Sequence, residues 1–253
     1  PGDDNNGFSS GSAQVLSGID GSILYTLNGD NAGDALGWSV SGAGDVNGDG
    51  VDDVIAGAPG DPFSGGTTSS GSARVFSGFD GSILYTFVGD STGDRLGVSV
   101  SGVGDVNGDG FDDVIAGAPN DDNNGSGAGS CRVFSGFDGS ILFTFYGDSA
   151  GDQLGISVRG AGDVNGDGFD DVIVGAYLDD NNGGNSGSAR VFSGFDGSIL
   201  HTFDGDNAGS SLGWSVSGAG DVNSDGFDDV IAGAPFDNNN GPDSGSAQIV
   251  LAD

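Results

Sequence analysis

DVNGDGVDDV at residues 45–54, DVNGDGFDDV at 105–114 and 163–172, and DVNSDGFDDV at 221–230 are four near-copies of one acidic loop. Each puts oxygen-bearing side chains at loop positions 1, 3, 5 and 9 and glycine at position 6, the pattern by which a short loop wraps a hard divalent cation. In the first copy Asp45, Asn47 and Asp49 point inward at alternate positions, Val51 offers its backbone carbonyl and Asp53 closes the site, while Gly50 permits the sharp turn. The other copies repeat this with Asp105, Asn107, Asp109, Phe111 and Asp113; with Asp163, Asn165, Asp167, Phe169 and Asp171; and with Asp221, Asn223, Asp225, Phe227 and Asp229. Four Ca2+ sites are therefore expected. Mg2+ fits less well, because it holds a tight octahedron with retained waters, and transition metals would find only His201 and Cys131 as imidazole and thiol. Asp, Asn and Gly also make plain turns, but four copies in matched contexts favour the ion.

The flanks decide the fold. Position 12, where an EF-hand needs a bidentate carboxylate, is Ala56, Ala116, Val174 or Ala232. Upstream lies GWSVSGAG and downstream DVIAGAP, both short, β-branched and glycine-bounded, with Trp38 and Val40 alternating against Ser39 and Ser41 as in a half-buried strand. The loops thus join strands. They start 60, 58 and 58 residues apart, and each unit reads as strand, acidic loop, strand, polar loop, strand, tight turn, strand. In the first full unit these strands fall near 37–43, 53–58, 71–76 and 82–87, the last two joined by an Asp80–Gly81 hairpin signal that recurs at Asp20, Asp138 and Asp196. The chain is expected to be all-β, one propeller of four-stranded blades, with a partial unit at 1–36 and repeats near 37–96, 97–154, 155–212 and 213–253.

A Leu-Gly pair, the DVNGDG loop and a Gly-Ala-Pro end together resemble the FG-GAP repeat of integrin α-subunit propellers and many secreted bacterial proteins. The matching residues are Leu36, Gly37 and Gly57 to Pro59; Leu96, Gly97 and Gly117 to Pro119; Leu154, Gly155, Gly175 and Ala176; and Leu212, Gly213 and Gly233 to Pro235. Tyr177 replaces the proline of the third copy, which is expected to alter a turn and spare the site. The resemblance implies a calcium-binding propeller outside the cell. It does not imply a ligand, since the repeat serves adhesion proteins, lectins and a few enzymes alike. Integrin propellers have seven blades, against four copies here.

Composition agrees. All 38 acidic residues are Asp, against five Arg, for a formal charge of −33. Four calcium ions would cancel part of it, and the ion-free chain should repel itself. Nucleic acid and anionic membranes need basic surface and are not expected partners, and no apolar run is long enough for membrane insertion. Cys131 stands where the sister copies have Ala13, Ala73, Ala189 and Ala247, so it reads as a small buried hydrophobe. Calcium is abundant outside cells, which argues for a secreted or cell-surface protein, and Pro1 in a chain without Met reads as a processed or partial product with any signal peptide gone.

PGDDNNG at the start matches PNDDNNG at 119–125 and PFDNNNG at 235–241, and GSAQV at 11–15 matches GSAQI at 245–249. One strand is present once too often: the pattern holds 17 strands where four closed blades need sixteen. The surplus is either a boundary through a longer array, a latch strand, or a strand exchanged with a neighbouring copy, giving a homo-oligomer or filament. Both terminal copies carry Gln14 and Gln248 where internal ones carry Arg74, Arg132 and Arg190. Residues that break the repeat are few. His201 stands where Tyr25, Tyr85 and Phe143 stand and reads as an aromatic-position variant, and Arg159 replaces Ser41, Ser101 and Ser217. Neither suggests a catalytic constellation, so no enzyme is expected. Asp30 and Asp34, Asp90 and Asp94, and Asp148 and Asp152 recur four apart, with Ser210 replacing the second acid after Asp206; turns are favoured over a weaker second cation site. The leading function is a calcium-locked structural or adhesive protein that assembles with itself or with cell-surface partners. The alternative is a lectin using loops 121–125 and 179–183, although only Phe63, Tyr177 and Phe236 lie near such loops as aromatic platforms. Asn124 to Ser126 form an N-glycosylation acceptor pattern.

Overall fold

The structure, a computed structural model, describes residues 2–62, 69–242 and 244–250; Phe63 lies outside them. Among the described residues there are seventeen strands and no α-helix, so no helix is long and apolar enough to cross a membrane. A leading pair, β1 (Ser12–Leu16) and β2 (Ile23–Asn28), is followed by unit 1: β3 (Val40–Gly44), β4 (Asp53–Ala58), β5 (Ser72–Phe76) and β6 (Ile83–Val88). Unit 2 holds β7 (Ser99–Gly104), β8 (Asp113–Ala118), β9 (Ser130–Phe134) and β10 (Ile141–Tyr146). Unit 3 holds β11 (Ser157–Gly162), β12 (Asp171–Ala176), β13 (Ser188–Phe192) and β14 (Ile199–Asp204), and unit 4 holds β15 (Ser215–Gly220), β16 (Asp229–Ala234) and β17 (Ser246–Val250).

Each unit is an antiparallel sheet in chain order: three four-stranded sheets, the three-stranded β15–β16–β17 and the two-stranded β1–β2. Successive first strands pack on one another, β3 on β7, β7 on β11 and β11 on β15, which is the stacking of propeller blades. DVIAGA and DVIVGA form the second strands, nearly wholly buried, so their apolar runs are continuous rather than alternating. The core lies between sheets, where Phe87 of β6 stacks on Phe134 of β9 and Phe145 of β10 on Phe192 of β13, both at 3.9 Å. Leu36, Leu96, Leu154 and Leu212 of the Leu-Gly pairs are fully buried, and each bridges in parallel to the glycine before a third strand, as Leu96 does to Gly71. Gly71 has φ +78, and a Cβ there would strike the Leu96 backbone, so only glycine allows this approach.

Two expectations need correction. GWS at 37–39 turns instead of beginning a strand, because Gly37 takes φ +82 and the amides of Gly37 and Trp38 both donate to the Gly57 carbonyl. Val40 is not half-buried but 57 % exposed, whereas Val100 and Val158 are fully buried, because among the described residues no first strand of a preceding sheet covers β3. A groove of about 490 Å³ lies there instead, lined by Ala13, Val15, Val40, Gly42 and Val54. The two copies of the repeated terminal strand sit in different sheets: β1 pairs with β2, and β17 pairs with β16.

Candidate metal centre

Every acidic loop fills the gap between the first and second strands of its unit, and its side chains organise its own backbone. In the first loop Asp45 Oδ1 accepts from the Asp49 amide at 3.0 Å and its Oδ2 from the Gly50 amide at 2.9 Å. Asn47 Oδ1 also accepts from Asp49, and Asp49 Oδ1 accepts from the Val51 amide. These Asx-type bonds recur around Asp105, Asn107 and Asp109, around Asp163, Asn165 and Asp167, and around Asp221, Asn223 and Asp225. Positions 1, 3 and 5 therefore meet on one turn. Position 9 is different: Asp53, Asp113, Asp171 and Asp229 open the second strand and are at most 1 % exposed. Asp53 accepts from the amides of Val46 and Gly78, Asp113 from Val106 and Gly136, and Asp171 from Val164 and Gly194, tying each loop to the next hairpin of its unit.

Burial pushes the Asp113 carboxyl up to about 7 and that of Asp171 to about 6; the amide donors pull down, while Asp109 and Asp105, or Asp167 and Asp163, push up. A cation would relieve that cost. Each carboxylate oxygen of Asp53, Asp113 and Asp171 has two lone-pair directions and spends one on an amide, so the all-oxygen donor set suits calcium in kind.

Position 8 does something the sequence reading did not find. Asp112 Oδ2 accepts from the Asp45 amide of the preceding unit at 2.8 Å, and Asp228 Oδ2 from the Asp163 amide at 3.1 Å. Asp170 likewise receives the Asp105 amide. The signal was the first Asp of every DD pair, which a cation loop alone does not require.

A second acidic cluster sits between units. Arg74, 4 % exposed, holds Asp30 and Asp61 at 2.8 Å with Asp34 at 3.7 Å. Arg132 does the same with Asp90 at 2.6 Å and Asp121 at 3.7 Å, and Arg190 with Asp148 at 2.8 Å and Asp179 at 2.9 Å. Asp34, Asp94 and Asp152 are buried and cap their turns, accepting from the amides of Asn31, Ser91 and Ser149. Burial foremost, then the hydrogen bond with Asp90, raises Asp94 to about 7; for Asp90 desolvation is outweighed by Asp94 and Arg132, which hold it at about 2. Asp90, Asp94 and Asp121 could converge on an ion, as could Asp148, Asp152 and Asp179. The turn is formed, however, and the cation already there is the guanidinium. In unit 4 the acid becomes Ser210 and the arginine becomes Gln248, a paired change that keeps the formal charge of the cluster constant.

The remaining singled-out residues take local roles. His201 stacks on Phe203 at 5.8 Å, as Tyr85 does on Phe87 and Phe143 on Phe145. Arg159 reaches the Val100 carbonyl and Ser99 hydroxyl of unit 2 and makes no ion pair among the described residues. Cys131 is buried, which pushes its thiol up and leaves it unreactive. Tyr177 packs edge-on against Trp214, and its turn keeps the bond from the Leu178 amide to the Asp152 carbonyl, so proline was dispensable there.

Four segments, residues 36–76, 96–131, 155–192 and 212–250, match the FG-GAP repeat model, and the chain belongs to the FG-GAP repeat family. Similar curated proteins are integrin α chains. Integrin alpha-5 of Xenopus laevis is 32 % identical over 183 residues, 66 % of this chain and 17 % of its own length. Integrin alpha-V of Gallus gallus is 29 % identical over 221 residues, 79 % of this chain and 20 % of its own. Integrin alpha-11 of Homo sapiens is 36 % identical over 166 residues, 61 % of this chain and 14 % of its own. The chain thus spans about a fifth or less of these relatives.

Proposed function

We propose that this protein is a calcium-binding adhesive module of the extracellular space, without catalytic activity. Its four loops would each hold one Ca2+ through positions 1, 3, 5, 7 and 9, and the loaded propeller would bind cell-surface partners or further copies of itself through its terminal strands. The observation that carries the reading is the repetition of one all-oxygen loop, with identical backbone hydrogen bonds, at every junction of first and second strand. Similarity to integrin α chains supports an extracellular place and an adhesive role. A lectin is less well supported: Asn124 Nδ2 donates to the Gly147 carbonyl and Asn182 Nδ2 to the Gly205 carbonyl, so these loop amides brace their own backbone. Calorimetric titration of the chelator-stripped protein tests the reading. Four calcium ions per chain are expected; no saturable binding would refute it.

A further inference from the structure

The contact between successive acidic loops is built the same way three times, and among the described residues its two halves are exposed in unit 4 and unit 1. Gly48, Gly108 and Gly166 of loop position 4 have φ between +72 and +73. Each lies under the position-7 ring of the next unit: a Cβ would come within 2.6 Å of Phe111, 2.8 Å of Phe169 and 2.5 Å of Phe227. Beside them Gly44, Gly104 and Gly162 lie so close to Asp112, Asp170 and Asp228 that a Cβ would clash with those carboxylates. Val46, Val106 and Val164 are buried in the junction.

Unit 4 carries the covered half of this contact uncovered. Val222 is 52 % exposed, a Cβ at Gly220 would meet nothing, and position 4 is Ser224, held at φ +65 where the sisters are glycine. Unit 1 carries the covering half exposed: Asp52 is exposed among the described residues, and position 7 is Val51, also exposed, where the sisters are Phe. The two deviations complement each other. A Phe at 51 would run into the Cβ that Ser224 adds, whereas valine leaves that space. Among the described residues the Asp221 amide and the Asp52 carboxylate have no hydrogen-bond partner, which completes the pair. The strands match as well. Gln14 of β1 and Gln248 of β17 both suit the Ser210 cluster, and β1 can take the register that β17 holds on β16, where Ala232 faces Gln248.

We propose that unit 1 receives unit 4 of a second copy head to tail, through the same loop latch, with β1 replacing β17 on β16 of the partner subunit. This deepens the self-assembly reading above by naming the faces. The occupant is a second copy because both exposed halves belong to this chain and their deviations, Val51 and Ser224, complement each other. In the structure β17 stays on its own β16 while the groove beside Val40 stays open, and β15 and β16 of the arriving copy would fill that groove.

Light scattering across a concentration series in saturating calcium tests it, with circular dichroism to confirm folding. The parent chain should form concentration-dependent oligomers. Val51→Phe should weaken association by about tenfold or more, because overpacking at a filled contact is not absorbed, and adding Ser224→Gly to it should restore association by recreating the Gly–Phe pair. A monomer at every concentration would overturn the proposal, together with self-assembly, and would favour unit 4 closing on its own chain. Oligomers indifferent to Val51→Phe would overturn the named latch alone and leave self-assembly standing.

Discussion

Replacing Asp112 by Ala should weaken the junction between units 1 and 2 while leaving the calcium content unchanged. Its carboxylate receives the Asp45 amide at 2.8 Å, and its own amide donates back to the Asp45 carbonyl at 3.4 Å, so the side chain points at the neighbouring loop. A hydrogen bond to a charged acceptor contributes about 1.5–3 kcal/mol, and alanine would leave the half-buried Asp45 amide short of an acceptor. Unfolding entropy near 2.1 cal/mol/K per residue makes about 2 kcal/mol equivalent to roughly 4 °C for a chain of this length. Asp52→Ala is the internal control, being the same residue of the repeat with no preceding loop to cap. As an exposed surface change it should shift stability by less than about 0.5 kcal/mol. Scanning calorimetry on dilute protein in saturating calcium makes the comparison. Equal melting temperatures for the two variants would refute the assignment of position 8 as a latch between units.

Chelation should lower the melting temperature by many degrees, since ion at ten times its dissociation constant adds about 1.4 kcal/mol per site; an unchanged melt in excess chelator would remove calcium from the fold. Asp109→Ala should lower the stoichiometry by one ion where Asp112→Ala lowers it by none, read by calorimetric titration. Asp94 titrates near 7 when folded, above its ordinary 3.8, so its contribution is complete below pH 3.8 and lost as pH rises through 7. Asp94→Asn, a neutral isostere, should therefore match the parent near pH 4 and exceed it in melting temperature at pH 8, and a lower melt at pH 8 would contradict the protonated assignment. Arg132→Gln should cost about 3–5 kcal/mol by stranding buried carboxylates, and Asp94→Ser should recover part of that in the double variant, as unit 4 does naturally; additivity of the two losses in denaturant melts would argue against compensation.

The repeat made most of the fold readable. Loop spacing, strand composition and Asp-Gly hairpins placed each sheet within a few residues, because every unit states the same pattern and errors in one are corrected by the others. The burial of β3 was misread for the converse reason. Whether Trp38 and Val40 are covered depends on what precedes unit 1, and local alternation is identical in Val40 and in the buried Val100. Side-chain partners across units were less legible still. The Arg74, Arg132 and Arg190 clusters bring together residues up to 44 apart in the chain, as in Arg74 with Asp30, and only the paired change to Ser210 and Gln248 recorded that link in the sequence. The latch by Asp112 lay hidden in a DD dipeptide whose first member could be taken for part of the ion loop.

The distribution of positive charge explains why two acidic clusters in each unit have different fates. The chain has five cationic side chains, all Arg. Arg74, Arg132 and Arg190 are committed to the inter-unit triads, Arg95 lies over the Trp38 ring at 5.8 Å, and Arg159 is spent on backbone carbonyls of its own and the preceding unit. None reaches the loops that begin at Asp45, Asp105, Asp163 and Asp221. Where the triad loses an acid, at Ser210, the arginine goes too, so the fold balances a buried carboxylate cluster from within when it can. The loops instead keep three carboxylates, the position-9 one buried, without any such partner, and a cation from solvent would relieve self-repulsion of that kind. That asymmetry is the physical reason for expecting calcium at the loops and none at the triads: the triad's charge is met by a side chain that folding delivers, the loop's by an ion that the surroundings must supply.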